Sequence, residues 1–152
     1  MSKYGNIHTE GITASGLKVA FKSKLEWRWS QYLDFLLRAD EIKSWDYELE
    51  VAEFEEHRHG VTRYLPDFKV VELDDSVTWH ECKGFLDGKS RTKIKRFREH
   101  IGDRDQFWLV VASVPAGTTS KSRMKLTALN KMERWCDRIV DAGKIFRQVG
   151  IE

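Results

Sequence analysis

The sequence has few cysteines, no long apolar run and little excess charge, and each shortage excludes a class of protein. The two cysteines, Cys82 and Cys136, lie far apart, which excludes a disulfide-stabilised fold and makes a reducing cytoplasm the expected location. No window approaches 18 consecutive apolar residues, and the first eight residues lack a signal-peptide core, so we expect no membrane-spanning helix. The 26 basic residues exceed the 24 acidic ones by only two, which excludes a uniformly cationic, histone-like packing protein.

Apolar and charged residues are both plentiful. Hydrophobic residues make up 41% of the 152 positions and charged residues 33%, which is enough apolar material for the core of one domain of ordinary size. Residues 1–20 are dotted with glycine and weakly patterned, so we expect an N-terminal arm that is flexible or irregular. Residues 21–152 are expected to form a single domain.

Hydrophobic periodicity predicts an α/β fold: one mixed sheet in a single domain, flanked by helices. Ser23 is a suitable N-cap for the first helix. The predicted elements are, in chain order, a helix over 23–39, a strand over 45–51, a turn over 53–60, strands over 61–64, 68–73 and 77–83, a helix over 89–101, a strand over 107–113, a helix over 121–142 and a short strand over 145–149. The strand–helix–strand run over 77–113 predicts a βαβ unit with parallel strands.

Two acids and a lysine are predicted to meet at the end of neighbouring strands. Residues two apart on a strand share a face, so Glu81 and Lys83 point one way and Cys82 points the other. Asp67 lies on the preceding strand, across the short turn at 74–76. Two carboxylates placed in this way can hold a hard divalent cation such as Mg²⁺, which can polarise a phosphodiester and activate a water. Lys83 is placed to orient that water or to stabilise charge on the phosphate.

The same residues resemble a known signature. Pro66-Asp67, a gap of 13 residues and then Glu81-Cys82-Lys83 is similar to the motif of PD-(D/E)-x-K nucleases, and Glu26 on the preceding helix matches the additional acid of many members. The resemblance covers residues 21–113 and implies a restriction-endonuclease-like core. It further implies a metal held by Asp67, Glu81 and the Cys82 backbone carbonyl, with Lys83 as the catalytic lysine and Glu26 as an auxiliary catalytic acid. The implied cofactor is Mg²⁺, with Mn²⁺ as a substitute.

Within that superfamily, the chain resembles archaeal-type Holliday-junction resolvases and related phage endonucleases, which act in the host cytoplasm. The resemblance implies cleavage of branched DNA such as a four-way junction, by a homodimer. The stretch between Glu26 and Asp67 is longer than in compact resolvases, which bears on the substrate more than on the chemistry. The alternatives are a nicking, repair, transposase-associated or restriction-type nuclease, an inactive DNA-binding module, and a structural protein.

Charge is unevenly distributed along the chain. A basic cluster follows the motif directly and is predicted to bind the DNA backbone; its members are Lys89, Arg91, Lys93, Lys95, Arg96 and Arg98. Residues 121–134 form a second, less concentrated basic stretch. Residues 40–59 carry eight acids against two basic residues, so this surface should avoid phosphate.

Three simpler interpretations stay open at this point. Glu26 stands at the capping-box position and would then only close a helix end. Glu81 and Lys83 would form an ordinary exposed ion pair, worth roughly 0–1 kcal/mol. Alternatively, two same-face pairs would converge on zinc; these pairs are His57 with His59 and His80 with Cys82.

Overall fold

The computed structural model describes residues 9–84 and 86–152. The elements are, in chain order, β1 (Thr9–Ile12), β2 (Lys18–Phe21), α1 (Lys24–Arg38), β3 (Ile42–Tyr47), β4 (Ala52–Glu53), β5 (Arg63–Tyr64), β6 (Phe68–Glu72), β7 (Val77–Lys83), α2 (Gly88–Ile101), β8 (Gln106–Val111), α3 (Ser120–Asn130), a 3-10 turn (Lys131–Arg134), β9 (Arg138–Asp141) and α4 (Ala142–Val149). Within these residues the chain forms one α/β domain, a five-stranded mixed sheet flanked by four α-helices, and the predicted fold class is confirmed.

The strand order of the main sheet is β3-β6-β7-β8-β9. The strands β3, β6 and β7 pair antiparallel, because the turn at 74–76 reverses the chain between β6 and β7. The strands β7, β8 and β9 pair parallel, since α2 carries the chain back across the sheet between β7 and β8. One edge of the sheet therefore contains the ends of β3, β7, β8 and β9 and the start of β6. We call this the carboxyl edge.

The elements around the motif match their predictions. The helix α1 occupies the predicted range, and the Ser23 hydroxyl caps it by accepting from the Glu26 backbone N–H. The strand β7 has the predicted bounds, and α2 begins one residue early. The parallel pairing of β7 with β8 confirms the βαβ unit.

Apolar clusters cover both faces of the sheet. On one face, Phe97 of α2 and Leu129 of α3 pack with the sheet residue Leu109. On the other face, Trp29 of α1 and Phe146 of α4 pack against sheet residues that include Phe68 and Val110. Burial of large side chains on both faces holds the sheet rigid, so the backbone at the carboxyl edge is fixed in position.

The described part of the predicted irregular arm, residues 9–20, is instead a regular hairpin formed by β1 and β2. Its last residue, Phe21, is almost fully buried and meets the Tyr47 ring edge-on, with 4.8 Å between ring centroids. A side chain at Gly11 would meet the Phe21 ring at 2.7 Å, so a glycine is needed there. Gly11 therefore allows the hairpin to pack closely against the Phe21 ring. The rest of the predicted arm, residues 1–8, lies outside the described residues.

The predicted strand over 45–51 is shifted and the predicted helix over 121–142 is too long. The strand β3 ends at Tyr47, and Leu49 and Val51 are about half exposed. The helix α3 ends at Asn130, and Met124 within it is 75% exposed. Apolar residues recur with helical spacing beyond α3 and through the 3-10 turn, so the sequence resembles that of one long helix. In the structure these residues belong to separate elements.

The predicted last strand over 145–149 is also wrong. The last strand is β9, which extends the parallel sheet beside β8 because Ile139 and Val140 pair with β8. The Asp141 carboxylate then caps α4 by accepting from Lys144 N at 3.1 Å. Gly143 lies in the first turn of α4, where a side chain would meet the Ala112 carbonyl oxygen at 2.7 Å.

Across the described residues, the helices are too short or too polar to cross a bilayer, as the sequence predicts.

Candidate functional site

The carboxyl edge brings together the four predicted motif residues. Asp67 directly precedes β6, Glu81 and Lys83 end β7, and Glu26 lies in the first turn of α1. The three acids are 3–8% exposed. Acids are rarely buried so deeply unless they are paired or bind a metal. The burial alone marks this edge as a candidate site.

Asp67 and Glu81 are linked directly through hydrogen bonds. The pairing of Phe68 with His80 places Asp67 beside Glu81. The Asp67 backbone N–H donates to Glu81 Oε2 at 3.3 Å, and the Tyr64 hydroxyl donates to the same oxygen. In return, Asp67 Oδ2 accepts from the Cys82 backbone N–H at 2.8 Å. Both carboxylates are therefore held in fixed orientations.

Lys83 connects this buried pair to the surface. Its Nζ lies 3.2 Å from Glu81 Oε1, and its side chain is 24% exposed against 4% for Glu81. The pair is therefore not the fully exposed ion pair of the simpler interpretation. The thiol of Cys82 lies in the apolar cluster on the opposite face of the sheet, as strand geometry predicts.

Glu48 is a further acid that the sequence did not single out. Oxygen atoms of Glu26, Glu48 and Asp67 lie within 4.8 Å of one another, close enough to share one metal ion. The Glu48 backbone N–H donates to the Asp67 carbonyl oxygen at 2.8 Å. Its φ of 48° is left-handed, which is uncommon for glutamate and typical of functional positions. The Glu48 carboxylate also pairs with the Lys22 ammonium group. We call Glu26, Glu48, Asp67 and Glu81 the acid cluster.

The sequence does not single out Glu48, because its position fits an acid that alternates along the predicted strand over 45–51. That strand belongs to the acidic surface that is expected to avoid phosphate. The strand ends one residue earlier, at Tyr47. What brings Glu48 to the site is the pairing of Tyr47 with Phe68, which places Glu48 beside Asp67. That pairing joins segments separated by a long loop, so local periodicity does not predict it.

The carboxylate of Glu26 belongs to the acid cluster and not to the helix cap. Its backbone N–H completes the cap with Ser23, whereas its Oε1 accepts from the Tyr47 hydroxyl at 3.1 Å. Burial, followed by the charge of Glu26, raises the pKa of Tyr47, so this phenol stays a proton donor. The interpretation in which Glu26 only closes a helix end therefore does not account for the position of its carboxylate, which Tyr47 binds.

Two of the acids, Asp67 and Glu81, have a raised pKa, which favours their neutral forms. Burial raises the pKa of Asp67 well above its usual range, and the charges of Glu81 and Glu26 raise it further. Burial also raises the pKa of Glu81, but the Lys83 ammonium opposes this. A divalent cation would relieve this repulsion.

The donor set fits Mg²⁺, because its ligands are carboxylate oxygens, which this hard cation prefers. Glu26, Glu48 and Asp67 are the residues placed to hold such an ion. The oxygens of Glu81 are already engaged by Tyr64, the Asp67 backbone and Lys83. Of the three ligands that the resemblance implies, which are Asp67, Glu81 and the Cys82 carbonyl, only Asp67 belongs to the group close enough to share an ion.

Two of the six basic residues predicted to bind DNA are engaged in holding loops. Arg96 donates to the backbone carbonyls of His59, at 3.0 Å, and Val61. Arg98 donates to the Trp135 carbonyl at 2.8 Å and pairs with Asp137. The remaining four all lie in α2 and are exposed or half-exposed; they are Lys89, Arg91, Lys93 and Lys95. These four are available to bind a phosphate backbone.

The zinc alternative is wrong, because its four residues do not converge. His80 is buried on the α1 side of the sheet, where its Nδ1 accepts from Trp29 Nε1 at 3.0 Å. Burial lowers the pKa of His80 to about 3. His57 lies on the α2 side, 3.7 Å from Glu99. Among residues 9–84 and 86–152, the three possible metal ligands whose atoms lie close enough to share one ion are Glu26, Glu48 and Asp67.

Buried carboxylates beside one half-exposed lysine form a site suited to metal-assisted chemistry on an anionic substrate. The lysine is the part that reaches solvent, so a substrate would meet it first.

Comparison of the chain with protein-family models, with curated proteins and with solved structures gives no match.

Proposed function

We propose that the protein is a Mg²⁺-dependent DNA endonuclease of the PD-(D/E)-x-K type. The observation that carries the proposal is the direct hydrogen bonding of Asp67 to Glu81, with Lys83 3.2 Å from Glu81, at the carboxyl edge. The motif spacing in the sequence and the order of β6, β7, α2 and β8 support it. A protein that only bound DNA would gain nothing from buried acids facing phosphate, since the charges repel.

The residues of the site divide the work between them. Glu26, Glu48 and Asp67 would hold the cation, which would supply an activated water and offset phosphate charge. The Cys82 backbone N–H fixes Asp67 in its orientation. Glu81 holds Lys83 by an ion pair, so that its ammonium group can donate to a phosphate oxygen at the point where charge develops.

The helix α2 supplies backbone contacts beside the site. It begins five residues after Lys83, with Asp87 as its N-cap, so its first turns lie next to the proposed point of cleavage. Lys89, Arg91, Lys93 and Lys95 would bind phosphates there without reading sequence. The DNA affinity should fall steeply with salt for the same reason.

The proposed substrate is branched DNA, such as a four-way junction, cut by a homodimer in the cytoplasm. One domain presents one acid cluster, so paired cuts on two strands require two subunits. The branched substrate is implied by the resemblance to junction-resolving enzymes. Linear duplex of the same sequence is the competing substrate, and the assay below separates the two.

The test is cleavage of a four-way junction and of matched linear duplex in Mg²⁺ or Mn²⁺. We expect the wild type to cut the junction, and Asp67→Asn to lose at least about 10²-fold in rate. Asp103→Asn is the matched control, because Asp103 is exposed in the turn after α2, at the opposite edge of the sheet. Equal cutting by wild type and Asp67→Asn would remove the site. Preferred cutting of linear duplex would keep the nuclease but reject the junction.

A further inference from the structure

An open cavity of about 500 Å³ adjoins Lys83, and none of the four residues of the acid cluster lines it. It lies between the ends of β7 and β8 and the helix α3. Its lining includes Lys83 and Gly84 at the end of β7 and Lys121 and Lys125 of α3. We call it the lysine cavity. Its volume is within the range of about 300–1,000 Å³ that is usual for small-ligand sites.

The charge of the cavity lining has one sign. Its charged side chains are Lys83, Lys121 and Lys125, and no acid among the described residues lines it. A second cavity of similar size, about 510 Å³, lies under the β4–β5 loop and is lined by four glutamates. Cavity volume is therefore nearly equal at the two places, whereas the charge is opposite. The lysine cavity is suited to an anion.

The hydroxyl groups of the lining can donate to the same anion. Ser122 Oγ accepts from Gly117 N at 2.7 Å, and Thr119 Oγ1 accepts from Ser122 N at 3.1 Å. Each hydroxyl has one proton, and because these contacts use only lone pairs, the proton is free to be donated outward.

The floor of the cavity is apolar. Leu86, Val111 and Leu129 line it, and Leu129 and Val111 also belong to the core cluster beneath the sheet. An inorganic anion would leave this floor uncovered. A ligand that joins a phosphate to a flat ring whose face can lie on an apolar surface would cover both parts, and a nucleotide is such a ligand.

We propose that the lysine cavity binds one unpaired nucleotide of the DNA strand next to the phosphate that is cut. Lys121 and Lys125 bind its phosphate, and its base lies on the floor formed by Leu86, Val111 and Leu129. Lys83 lines the cavity and also pairs with Glu81 of the acid cluster at 3.2 Å, so the two sites adjoin each other. A paired base remains stacked in its duplex, and therefore the cavity selects DNA with an unpaired position beside the cut. This inference rests on the proposed nuclease function.

The first experiment measures binding without cleavage. The full-length chain, in EDTA, is titrated into labelled duplex that contains either a short unpaired segment or full pairing, and fluorescence anisotropy gives Kd. We expect the double variant Lys121→Ala/Lys125→Ala to lose at least tenfold in affinity for the unpaired probe and much less for the duplex. The salt slope for the unpaired probe should fall by about 0.7, as expected for one phosphate of a single strand. Lys18→Ala/Lys43→Ala, an equal loss of exposed charge elsewhere, is the control.

The second experiment separates base insertion from simple charge attraction. Ala128 lines the cavity and carries no charge, so Ala128→Trp fills the space while keeping all three lysines. We expect the preference for the unpaired probe to disappear and the salt slope to remain. If this variant does not fold, Ala128→Leu gives a smaller filling with the same expected direction.

The outcomes distinguish the cavity from the nuclease. Equal losses on paired and unpaired DNA in the lysine variant would overturn the nucleotide pocket in favour of backbone contact alone. A preference for unpaired DNA that survives filling would overturn it as well. If the preference depends on the cavity as expected but the wild type cuts no substrate in Mg²⁺ or Mn²⁺, the proposed nuclease function fails and the cavity stands.

Discussion

The two sides of Lys83 have opposite electrostatic character. On one side, the acid cluster places four carboxylates at the carboxyl edge, and three of them are 3–8% exposed. On the other side, the lysine cavity presents Lys121 and Lys125, both exposed, and no acid among the described residues. The acids bear the free-energy cost of burial and of mutual repulsion, whereas the exposed lysines stay hydrated and bear little of either.

This contrast explains how one edge can handle a phosphodiester. Buried carboxylates alone would repel DNA, so that side is useful only when a cation offsets their charge. The lysine side attracts the backbone with no such help. Lys83 connects the two regions, because it pairs with Glu81 of the acid cluster and also lines the lysine cavity. The first prediction below removes Lys83, and the later ones alter the acid cluster while leaving the lysine cavity in place.

Removing the connection should have the largest effect. Lys83→Ala leaves Glu81 without its ion-pair partner and deprives the phosphate of a donor. We expect the cleavage rate to fall by about 10²–10³-fold, as for loss of one charge-stabilising donor, while Mg²⁺ affinity stays within a few fold. Single-turnover cleavage and calorimetric titration with Mg²⁺ give the two quantities. Lys22→Ala, which removes the ion-pair partner of Glu48 instead, is the comparison. A loss of Mg²⁺ affinity as large as the loss of rate would mean that Lys83 acts only by holding the acids in place.

The next prediction concerns which acids hold the ion. We expect Glu48→Gln to weaken Mg²⁺ binding by at least about tenfold, or about 1.4 kcal/mol, because Glu48 belongs to the group whose oxygens lie within 4.8 Å. Glu81→Gln should weaken it less, since both Glu81 oxygens are already engaged by protein donors. Glu50→Gln is the matched control, two residues away with an exposed side chain. The reverse order of effects in the same titration would restore the ligand set that the resemblance implies.

The motif region was predictable because its geometry is local. The bounds of β7 follow from alternation and from the turn at 74–76. The shared face of Glu81 and Lys83 follows from the two-residue period of a strand. Both conclusions need only short-range information, and both hold in the structure.

The parts that were not predicted depend on distant contacts. Glu48 enters the acid cluster through the pairing of β3 with β6 and a left-handed φ. Arg96 and Arg98 resemble their basic neighbours in sequence, yet they bind backbone carbonyls of distant loops. The end of α3 and the start of β9 could not be located from the sequence, because apolar residues recur without a break through both elements. In each case tertiary pairing decides the outcome and local pattern does not show it.

The smallest expected effect is on stability, and it tests the cost of burying acid on the cluster side. The raised pKa of Asp67 means that, between its unfolded value of about 3.9 and its higher folded value, the folded state binds more protons than the unfolded state. The free energy of unfolding should therefore fall as pH rises through that window. The groups around Asp67 are Glu26, Glu48 and Glu81, together with Lys22 and Lys83.

Asp67→Asn keeps an oxygen that can accept from the Cys82 backbone but removes the charge. Without metal, we expect this variant to lose less stability than wild type between pH 4 and 8, and to melt a few degrees higher at pH 8. About 1 kcal/mol corresponds to roughly 2–4 °C for a chain of this size. Thermal melts in EDTA at several pH values measure the difference, with Asp103→Asn as the control. Adding Mg²⁺ should stabilise wild type more than Asp67→Asn, because the ion binds the folded acids. If wild type and Asp67→Asn show the same pH dependence, the acid cluster carries no excess electrostatic cost and the contrast between the two sides of Lys83 loses its physical basis.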